Sequence, residues 1–577
     1  MATLHLALIR GIKAQLINEV FSTTYDGSRS LEFSNPGIQF VSGPAVTSSI
    51  NATSSHPDII GISIFDNQVH QQMDAIGAGI TDAAAIVLKD FKTNHPDQYW
   101  ELLNMLFSQD PEWIVKGGAG LNACRSPLGA SDFGISPYTY DDTYDGSTDE
   151  DLKLFTLDKA PKLFEVLQDV KSVNPNTKFT FATWSAPGWM KDSPNAQPLF
   201  QGSLKQGYED IFAKYLYKSM ATIKSEKGLQ PYFLSIQNEP LYTSNSYPGM
   251  RVSPTSAGKI GASLRKLLDD GGLNSIKIMT YDHNWDNDQY AIQQSDSAPF
   301  DTFAGVAWHC YAGNPTAQQR YNQAYPGKEV HMTECTKITQ YLSEPWPNLR
   351  STLHDLIIGS IRYGSRSVLL WNVALKEDDD GFTTPHLPNV CTNCLAPILF
   401  NSNAFQSDPT ASLKGTNTRT VAQAQADDAG SKKRKKRFFS KDSFGGHETA
   451  GSRRATLEKR QTSFYKTTSD YLALTHLSLA VRARGSSTYG VNINSITSDE
   501  TALGDANSRL FSQVFRSDNA DSRGNSRWSV VILNRNDHFL TGRYDNVTVA
   551  INFRGKVANF TCMPGVYTLS WLAPKTA

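Results

Sequence analysis

The sequence predicts an α/β protein, a (β/α)8 TIM barrel with an appended all-β sandwich domain. Between residues 71 and 375, short apolar runs alternate with amphipathic helical stretches, and eight such runs are present, as expected of a TIM barrel. After residue 462, segments of alternating apolar and polar residues are separated by turn residues, which is typical of antiparallel sheets. A doubly wound sheet is the competing topology. The count of eight and the polar residues at many strand ends favour the barrel.

The chain begins with a polar, Ser/Thr-rich segment, residues 1–70, from which we expect strands that pack on the sandwich. The barrel is expected over residues 71–400, and its first helix opens near Ala83, with Thr81 or Asp82 as the N-cap. The predicted barrel strands cover residues 71–79, 119–125, 178–184, 232–238, 276–281, 303–309, 330–334 and 367–371. The predicted helices between them include residues 158–173, 208–227, 256–270 and 349–363.

A polar, charged segment follows the barrel at residues 401–462 and is predicted to be a disordered basic insertion. It contains the basic run 432–437, which raises the alternatives of a nuclear signal, a nucleic-acid contact or a protease-processing site. A solvated insertion is the simplest interpretation, and we expect no nucleic-acid partner. Residues 463–577 are predicted to form the C-terminal β-sandwich, with a helix or turn at 471–481.

Composition narrows the function classes. The 577 residues are 39% hydrophobic, enough for a large core, and the formal net charge of −1 gives no overall field that attracts nucleic acid or membrane surfaces. Apolar runs are too short for a membrane span, so we expect no stable membrane insertion. The start shows no basic region or cleavage site of a signal peptide. Sequons at Asn51, Asn546 and Asn559 nevertheless favour a secreted, extracellular protein.

Six cysteines are present. Cys391 and Cys394 form a single C-x-x-C without the second pair that zinc sites usually have, so we expect no metal, and no cofactor is indicated. Cys310 and Cys335 each adjoin a candidate site residue and are either buried thiols or a bridge.

Two glutamates carry the functional prediction. The apolar run before Glu239 reads as a buried strand stopped by Pro240, and a second strand ends at Glu334. A lone glutamate at a strand end is more often a solvated loop residue. Two of them at the carboxyl ends of barrel strands are what cleavage of a glycosidic bond needs: an acid for the leaving oxygen, and a carboxylate that attacks the sugar or activates water.

The polar and aromatic residues at the other strand ends fit a sugar pocket. Each of them alone is at least as well explained by packing, but their joint placement at one end of the barrel favours a binding site. These candidate residues are Arg125, Trp184, Asn238, His309, Tyr311 and Trp371.

Ordered motifs give the chain a family resemblance. They are found at residues 79–85, 124–133, 183–191, 237–240, 308–311, 333–335 and 371–375. With these motifs the chain resembles family 30 of the glycoside hydrolases, which includes lysosomal glucosylceramidase and fungal endo-β-1,6-glucanases. Residues 74–79 depart from the usual tight Gly-Phe-Gly, and the insertion at 401–462 is not expected of the family.

The resemblance implies a retaining enzyme, with Glu239 as the acid/base and Glu334 as the nucleophile. Retention places the two carboxyl groups about 5–5.5 Å apart, and Glu239 is expected to have a raised pKa. The same match implies that Asp132, Trp184, Asn238 and Trp371 line the subsite of the transferred sugar. Arg125, His309 and Tyr311 would support the carboxylates.

We therefore expect a glycosidase that cleaves β-1,6-linked glucan of fungal cell walls. A glucosylceramidase or an endo-β-1,6-galactanase with the same mechanism is the nearest alternative, so the partner is a β-glucan or a glucosyl lipid. An inactive carbohydrate-binding protein is the alternative from another class.

Overall fold

The structure is a computed structural model that describes residues 15–47, 59–341, 345–406, 464–482, 490–503, 508–537 and 544–575. Most of the predicted insertion, including the basic run 432–437, lies outside the described residues, as does Asn51. The first strands are β1 (Leu16–Thr24), β2 (Glu32–Ser34), β3 (Ile38–Gln39), β4 (Val41–Ser42) and β5 (Ile59–Gln72).

A closed parallel barrel follows. The next strands are β6 (Ala75–Gly79), β7 (Ala123–Leu128), β8 (Lys178–Thr183), β9 (Lys191–Asp192), β10 (Ser203–Leu204), β11 (Pro231–Ser235), β12 (Lys277–Asn284), β13 (Gly305–His309), β14 (Glu329–Glu334) and β15 (Ser365–Leu370). Strands β9 and β10 form a separate two-stranded hairpin, and the other eight close the barrel, with β15 pairing back to β6. Each predicted barrel strand overlaps one of these eight. The TIM barrel is confirmed and the doubly wound sheet is excluded.

Helices surround the barrel. They are α1 (Asp82–Asn94), α2 (Pro96–Phe107), α3 (Pro111–Val115), α4 (Pro161–Val173), α5 (Glu209–Lys227), α6 (Pro254–Asp270), α7 (Asp288–Asp296), α8 (Ala317–Ala324), α9 (Trp346–Ser351) and α10 (Ser360–Arg362), with a π-helix, Thr352–Gly359, between the last two. Of the two predicted caps of α1, Thr81 takes the role, because its Oγ1 accepts a hydrogen bond from the Ala84 amide at 3.1 Å. The predicted helix 349–363 corresponds to three consecutive segments: α9, the π-helix and α10.

Four of the eight barrel strands have a boundary three or four residues from the predicted one. Strand β6 starts at Ala75 rather than residue 71, since Gln72 ends β5, and β12 ends at Asn284 rather than residue 281. Strand β7 starts at Ala123 rather than residue 119, because Gly120, inside the predicted strand, adopts a left-handed φ of 56° that interrupts the extended backbone. Strand β11 ends at Ser235, three residues early. The residues that follow β11 therefore lie on an irregular segment.

The amino ends of the barrel strands are joined by a charged network. Arg366 contacts Asp74 at 2.7 Å and Glu329 at 3.0 Å, and Lys277 contacts Glu329 at 2.7 Å. His331, fully buried, lies 3.1 Å from Glu329 through Nε2. These contacts tie β6, β12, β14 and β15 together at the end of the barrel remote from the carboxyl ends.

The remaining strands form two further sheets. They are β16 (Ala374–Glu377), β17 (Thr383–Thr384), β18 (Ile398–Phe400), β19 (Tyr465–Thr467), β20 (Val491–Thr497), β21 (Leu510–Ser517), β22 (Ser526–Asn534), β23 (Val547–Phe553), β24 (Lys556–Cys562) and β25 (Gly565–Ala573). Strands β16 to β19 form a small four-stranded sheet. The others join the N-terminal strands in one eleven-stranded sheet, in which β5 lies between β20 and β23 and β1 pairs with β25. The expected union of N-terminal and C-terminal strands is confirmed.

This sheet folds over a core of its own. Phe553 of β23 packs against Trp528 of β22 and Trp571 of β25, with ring centroids 4.9 and 5.4 Å apart, although β23 pairs with neither strand. Two further helices, α11 (Ser469–Val481) and α12 (Ser498–Leu503), accompany it. Helix α11 is buried along its whole length and contacts β6, β22 and β25, so it lies between the barrel and the sheet.

Candidate active site

Glu239 and Glu334 reach the carboxyl end of the barrel in different ways. Glu334 is the last residue of β14, whereas Glu239 lies on the irregular segment beyond β11. Glu239 adopts a left-handed φ of 47°, which is rare for a residue with a side chain. Its amide donates to the Asp282 carbonyl at 3.0 Å, and the preceding Asn238 amide donates to Thr183 at 2.8 Å. Both neighbouring strands thus hold Glu239 in this conformation.

Strained backbone continues on the adjacent strand. Tyr281 and Asp282 have φ angles of 70° and 55°, and the register of β12 against β13 shifts between Tyr281 and His283. Such irregularities concentrate where a side chain has to be aimed at a site. Here they accompany a fully buried Asp282 carboxylate that contacts three site residues.

Arg125 forms the centre of the buried network. It is 1% exposed and donates to Glu334 Oε2 at 2.6 Å, to Asn238 Oδ1 at 2.7 Å and to Asp282 Oδ2 at 2.8 Å. Burial opposes the charges of Asp282 and Arg125, but their mutual attraction prevails: the pKa of Asp282 is well below its usual range and that of Arg125 is raised. This guanidinium therefore orients two carboxylates and one amide at once.

His309 joins the two glutamates. Its Nδ1 lies 3.0 Å from Glu239 Oε1, its Nε2 lies 3.1 Å from Asp282 Oδ1, and Glu334 Oε2 is 3.9 Å from the same Nε2. Burial lowers the pKa of His309, but the charges of Glu334 and Asp282 and the hydrogen bonds to Asp282 and Glu239 raise it to about 9. The imidazole is therefore charged at neutral pH.

The pKa of Glu239 differs from the prediction. Burial raises it, but hydrogen bonds to His283 and His309 prevail and lower it to about 2. The raised pKa expected for Glu239 is therefore wrong for the protein without substrate. The cause is that His283 and His309, whose Nδ1 atoms lie 3.5 and 3.0 Å from Glu239 Oε1, both favour the carboxylate form of Glu239.

Both oxygens of Glu334 are engaged. Tyr311 donates its hydroxyl hydrogen to Oε1 at 3.0 Å, and Arg125 binds Oε2. Oxygen atoms of Glu239 and Glu334 lie within 4.8 Å of each other, with His309 beside both. A disulfide joins Cys310, next to Tyr311, to Cys335, next to Glu334. The sequence left open whether Cys310 and Cys335 are buried thiols or a disulfide, and the structure shows the disulfide.

An aromatic wall lies beside the carboxylates. Trp184 and Trp371, both 3% exposed, stack with ring centroids 5.1 Å apart, and the Arg125 guanidinium lies 5.1 and 5.7 Å from the two rings. Gly79 permits this packing, because a Cβ at that residue would lie 1.8 Å from the Trp371 carbonyl oxygen.

Burial and the negative charges of Glu334 and Glu239 raise the pKa of Asp132 to about 8. Asp132 therefore holds its proton to a higher pH than an ordinary carboxylic acid does.

The predicted site residues thus lie together at one end of the barrel. The prediction omitted others that share the network, namely Tyr247, Asp282, His283 and Thr333. Thr333 donates to Asp282 at 2.6 Å. Burial, with the nearby charges of Asp132 and Glu239, raises the pKa of Tyr247. Asp282 and His283 directly follow the fifth predicted strand, so the same strand-end argument would have found them. Tyr247 lies in a loop, where no sequence signal identifies it.

Among the described residues, two groups present donor atoms within 4.8 Å of one another that suit a metal: Glu239, His309 and Glu334, and Asp74, Glu329 and His331. Protein cations already pair with both groups: Arg125 with Glu334 in the first, and Lys277 and Arg366 with Glu329 in the second. The CxxC pair offers no ligands either, since Cys391 and Cys394 form a disulfide.

A barrel that presents two facing glutamates beside stacked tryptophans has the fold and the groups of a glycoside hydrolase. The sequence model of the glycosyl hydrolase family 30 TIM-barrel domain matches residues 73–331. An endo-1,6-beta-D-glucanase, neg1, of Aspergillus fumigatus is 31% identical over 356 residues, which cover 58% of this chain and 67% of that protein. The chain belongs to glycoside hydrolase family 30 and is a glycosidase.

Further relatives show the breadth of the family. The endo-1,6-beta-D-glucanase BGN16.3 of Trichoderma harzianum is 29% identical over 366 residues, which cover 60% of this chain and 70% of that protein. A putative glucosylceramidase 2 of Caenorhabditis elegans is 25% identical over a stretch that covers 48% of this chain and 55% of that protein. Among solved structures, the endo-beta1,6-glucanase BT3312 superposes with a TM-score of 0.67 at 20% identity, over 96% of this chain and 98% of that one. At that identity the structural likeness supports the fold.

Proposed function

We propose that this protein is a retaining glycosidase that cleaves β-1,6-glucosidic linkages in glucan, with Glu239 as the acid/base and Glu334 as the nucleophile. The observation that carries the mechanism is the approach of the two carboxylates to within 4.8 Å. Retaining pairs are about 5–5.5 Å apart, whereas inverting pairs leave roughly 6.5–9.5 Å for a water molecule.

The first chemical step forms a glycosyl-enzyme. The carboxylate of Glu334 attacks the anomeric carbon, the bond to the leaving oxygen breaks, and that oxygen takes a proton from Glu239. Arg125 and Tyr311 fix the attacking carboxylate by contacts of 2.6 and 3.0 Å. Orientation of this kind reduces the entropy cost of reaching the transition state.

The second step reverses these roles. Glu239, now a carboxylate, takes a proton from water, and the resulting hydroxide displaces Glu334 from the anomeric carbon with a second inversion, so the configuration is retained. The proton that Glu239 donates comes from His309. Transfer from His309 Nδ1 to Glu239 Oε1, which lie 3.0 Å apart, converts Glu239 into the acid form.

The substrate side of the proposal rests on relatives. The fungal proteins named endo-1,6-beta-D-glucanase are 29 to 31% identical to this chain over 58 to 60% of its length. The putative glucosylceramidases of Caenorhabditis elegans match at lower identity, 25 to 28%, so a glucosyl lipid is the second candidate substrate. We place the enzyme outside the cell, where wall glucan lies. None of the helices among the described residues is long and apolar enough to cross a membrane.

Release of reducing sugar from purified β-1,6-glucan tests the proposal, with glucosylceramide and β-1,6-galactan assayed in parallel. Glu334→Gln and Glu239→Gln should each lower kcat by at least a thousandfold, while Glu112→Gln, an exposed surface change, should match the wild type. NMR of the first-formed anomer should show the β form. An α anomer refutes retention; turnover of the lipid alone refutes the glucan; binding without turnover of any substrate by the folded wild type favours a binding protein.

A further inference from the structure

Lys191 is a buried lysine in the hairpin that follows β8. It is the first residue of β9 and is 4% exposed. Its ammonium donates to Ser185 Oγ at 2.9 Å, to the Leu199 carbonyl at 2.7 Å and to the Gly249 carbonyl at 2.8 Å. A lysine ammonium has three donors and no acceptor, so these three bonds use all of its donors.

The partners of Lys191 belong to two loops at the carboxyl end of the barrel. Ser185 and Leu199 lie in the loop between β8 and α5, which contains the hairpin, whereas Gly249 lies in the loop between β11 and α6. The two loops also meet through their backbones, because the Gly249 amide donates to the Leu199 carbonyl at 3.1 Å. Lys191 therefore joins one loop to the other at a single buried nitrogen.

The charge of Lys191 has no anionic partner. Among the described residues, no carboxylate forms an ion pair with its ammonium, and burial lowers its pKa from 10.5 to about 7. A methionine of similar length would avoid the cost of burying a charge. What the lysine adds at this position is three hydrogen bonds from one atom, and these hold two chain segments together.

Each of the joined loops carries an aromatic ring of the candidate site. Ser185 directly follows Trp184 in the first loop, and Gly249 follows Tyr247 by two residues in the second. Tyr247 is half-buried and packs against the cluster that contains Trp184 and Trp371. The bonds of Lys191 thus fix the tyrosine loop relative to the start of the tryptophan loop.

This junction is continuous with the segment that carries Glu239. The Gln237 side-chain amide donates to the Trp184 carbonyl at 2.7 Å and to the Asn238 carbonyl at 2.9 Å, so the same two loops are also tied beside the proposed acid/base. Tyr247 lies near the carboxylates as well, since burial and the nearby charges of Asp132 and Glu239 raise its pKa.

We infer that Lys191 is a positioning residue, which holds Tyr247 and Trp184 at the spacing that the transferred sugar requires. The inference rests on the proposed function, because that function defines the sugar that is transferred. Lys191 acts through the two loops that it joins, and its buried ammonium is fully engaged by them. Loss of its donors should loosen the tyrosine loop and weaken the binding of the sugar.

Binding of a glucose-configured iminosugar tests this role. Its protonated ring nitrogen resembles the charge that develops on the transferred sugar, and it needs no leaving group. The dissociation constant is measured by titration calorimetry at about pH 6, where Lys191 is charged. Lys191→Met keeps the length of the side chain but removes its donors, and should raise this constant about tenfold.

Lys205→Met is the matched control. The Lys205 ammonium donates to the Trp189 carbonyl at 2.9 Å, within the loop after β8, so its loss leaves the junction between the loops in place. This variant should bind the iminosugar as the wild type does. Ser185→Ala is a smaller change that removes one acceptor of the Lys191 ammonium, and it should raise the dissociation constant about threefold.

A double-mutant cycle separates positioning from a general loss of structure. Tyr247→Ala alone should raise the dissociation constant. Lys191→Met added to Tyr247→Ala should then raise it by less than about twofold more, because the ring that the lysine holds in place is gone.

A dissociation constant within about twofold of wild type in Lys191→Met overturns the inference, and Ser185→Ala decides in the same way if Lys191→Met does not fold. Additive effects in the cycle, or an equal rise in Lys205→Met, overturn it too, because they indicate a general defect. A wild type that binds the iminosugar but cleaves no β-1,6-glucan refutes the proposed substrate, and the cycle still decides the role of Lys191. A wild type that binds no glucose-configured iminosugar refutes both.

Discussion

Tyr311 and Glu334 are linked twice: the Tyr311 hydroxyl donates to Glu334 Oε1 at 3.0 Å, and the neighbouring residues, Cys310 and Cys335, form a disulfide. The bridge connects the loop after β13 to the residue after β14 across 25 residues of sequence. It therefore limits how far the tyrosine can move from the carboxylate.

Loss of this bridge should affect both stability and catalysis. Replacing Cys310 and Cys335 together by serine should lower the free energy of unfolding by about 3.5 kcal/mol from chain entropy. It should also lower kcat, because Tyr311 is no longer held on Glu334. Thermal unfolding and glucan hydrolysis measure the two effects. Serines at Cys391 and Cys394, which enclose only a short loop, are the control and should cost about 2 kcal/mol. Unchanged kcat in the first double variant would show that the bridge does not position Tyr311.

The pH profile should report the proton shared by Glu239 and His309. Because the pKa of His309 is about 9, kcat/KM should fall as the pH rises through about 9, where the pair loses its proton. His309→Gln removes the side chain that holds this proton, so the fall of kcat/KM on the alkaline side should move to lower pH. Asp132 also titrates, with a pKa of about 8. If Asp132→Asn moves the alkaline limb and His309→Gln does not, then Asp132 controls the profile and the shared-proton interpretation is wrong.

Replacing Arg125 should lower the free energy of unfolding. Arg125→Met leaves Asp282 and Glu334 buried without their cation, so we expect a loss of roughly 3–5 kcal/mol in the free energy of unfolding, measured by urea denaturation. Lys116→Met, which breaks an exposed ion pair with Glu112, is the control and should leave the free energy of unfolding close to that of the wild type. Equal losses in the two variants would mean that the buried network contributes no more than a surface pair.

Glu329, at the amino end of the barrel, should make stability depend on pH. Burial raises its pKa, but His331 and Lys277 outweigh burial and lower it from 4.5 to about 2. A depressed carboxyl pKa stabilises the folded state above pH 4.5 and loses that contribution as the pH falls through about 2. The contribution is on the order of 3 kcal/mol. Glu329→Gln should therefore flatten the stability curve between these pH values while glucan hydrolysis at neutral pH stays within twofold of wild type. A curve that keeps the wild-type slope would contradict this.

Much of the barrel was predictable because its strands are buried on both faces and read as continuous apolar runs. Strand ends could then be located, and with them the residues aimed at the mouth. Asp282 and His283 directly follow a predicted strand, so the same strand-end argument reaches them. Strand β7 starts four residues later than its apolar pattern predicts because Gly120 adopts a left-handed φ. Tyr247 could not be found, because a loop has no periodicity from which to infer its path.

The sequence by itself determined the fold class, the position of Glu334 at the end of one barrel strand and of Glu239 beyond the end of another, and the motifs shared with family 30. These follow from local hydrophobic patterns and from residue order. Only the tertiary structure decided the lowered pKa of Glu239, the disulfide partners and the approach of the two carboxylates to within 4.8 Å. Electrostatic interactions depend on distances between groups far apart in the chain: Arg125, His309 and Glu334 alter each other's charge states only because the closed barrel brings them within about 4 Å.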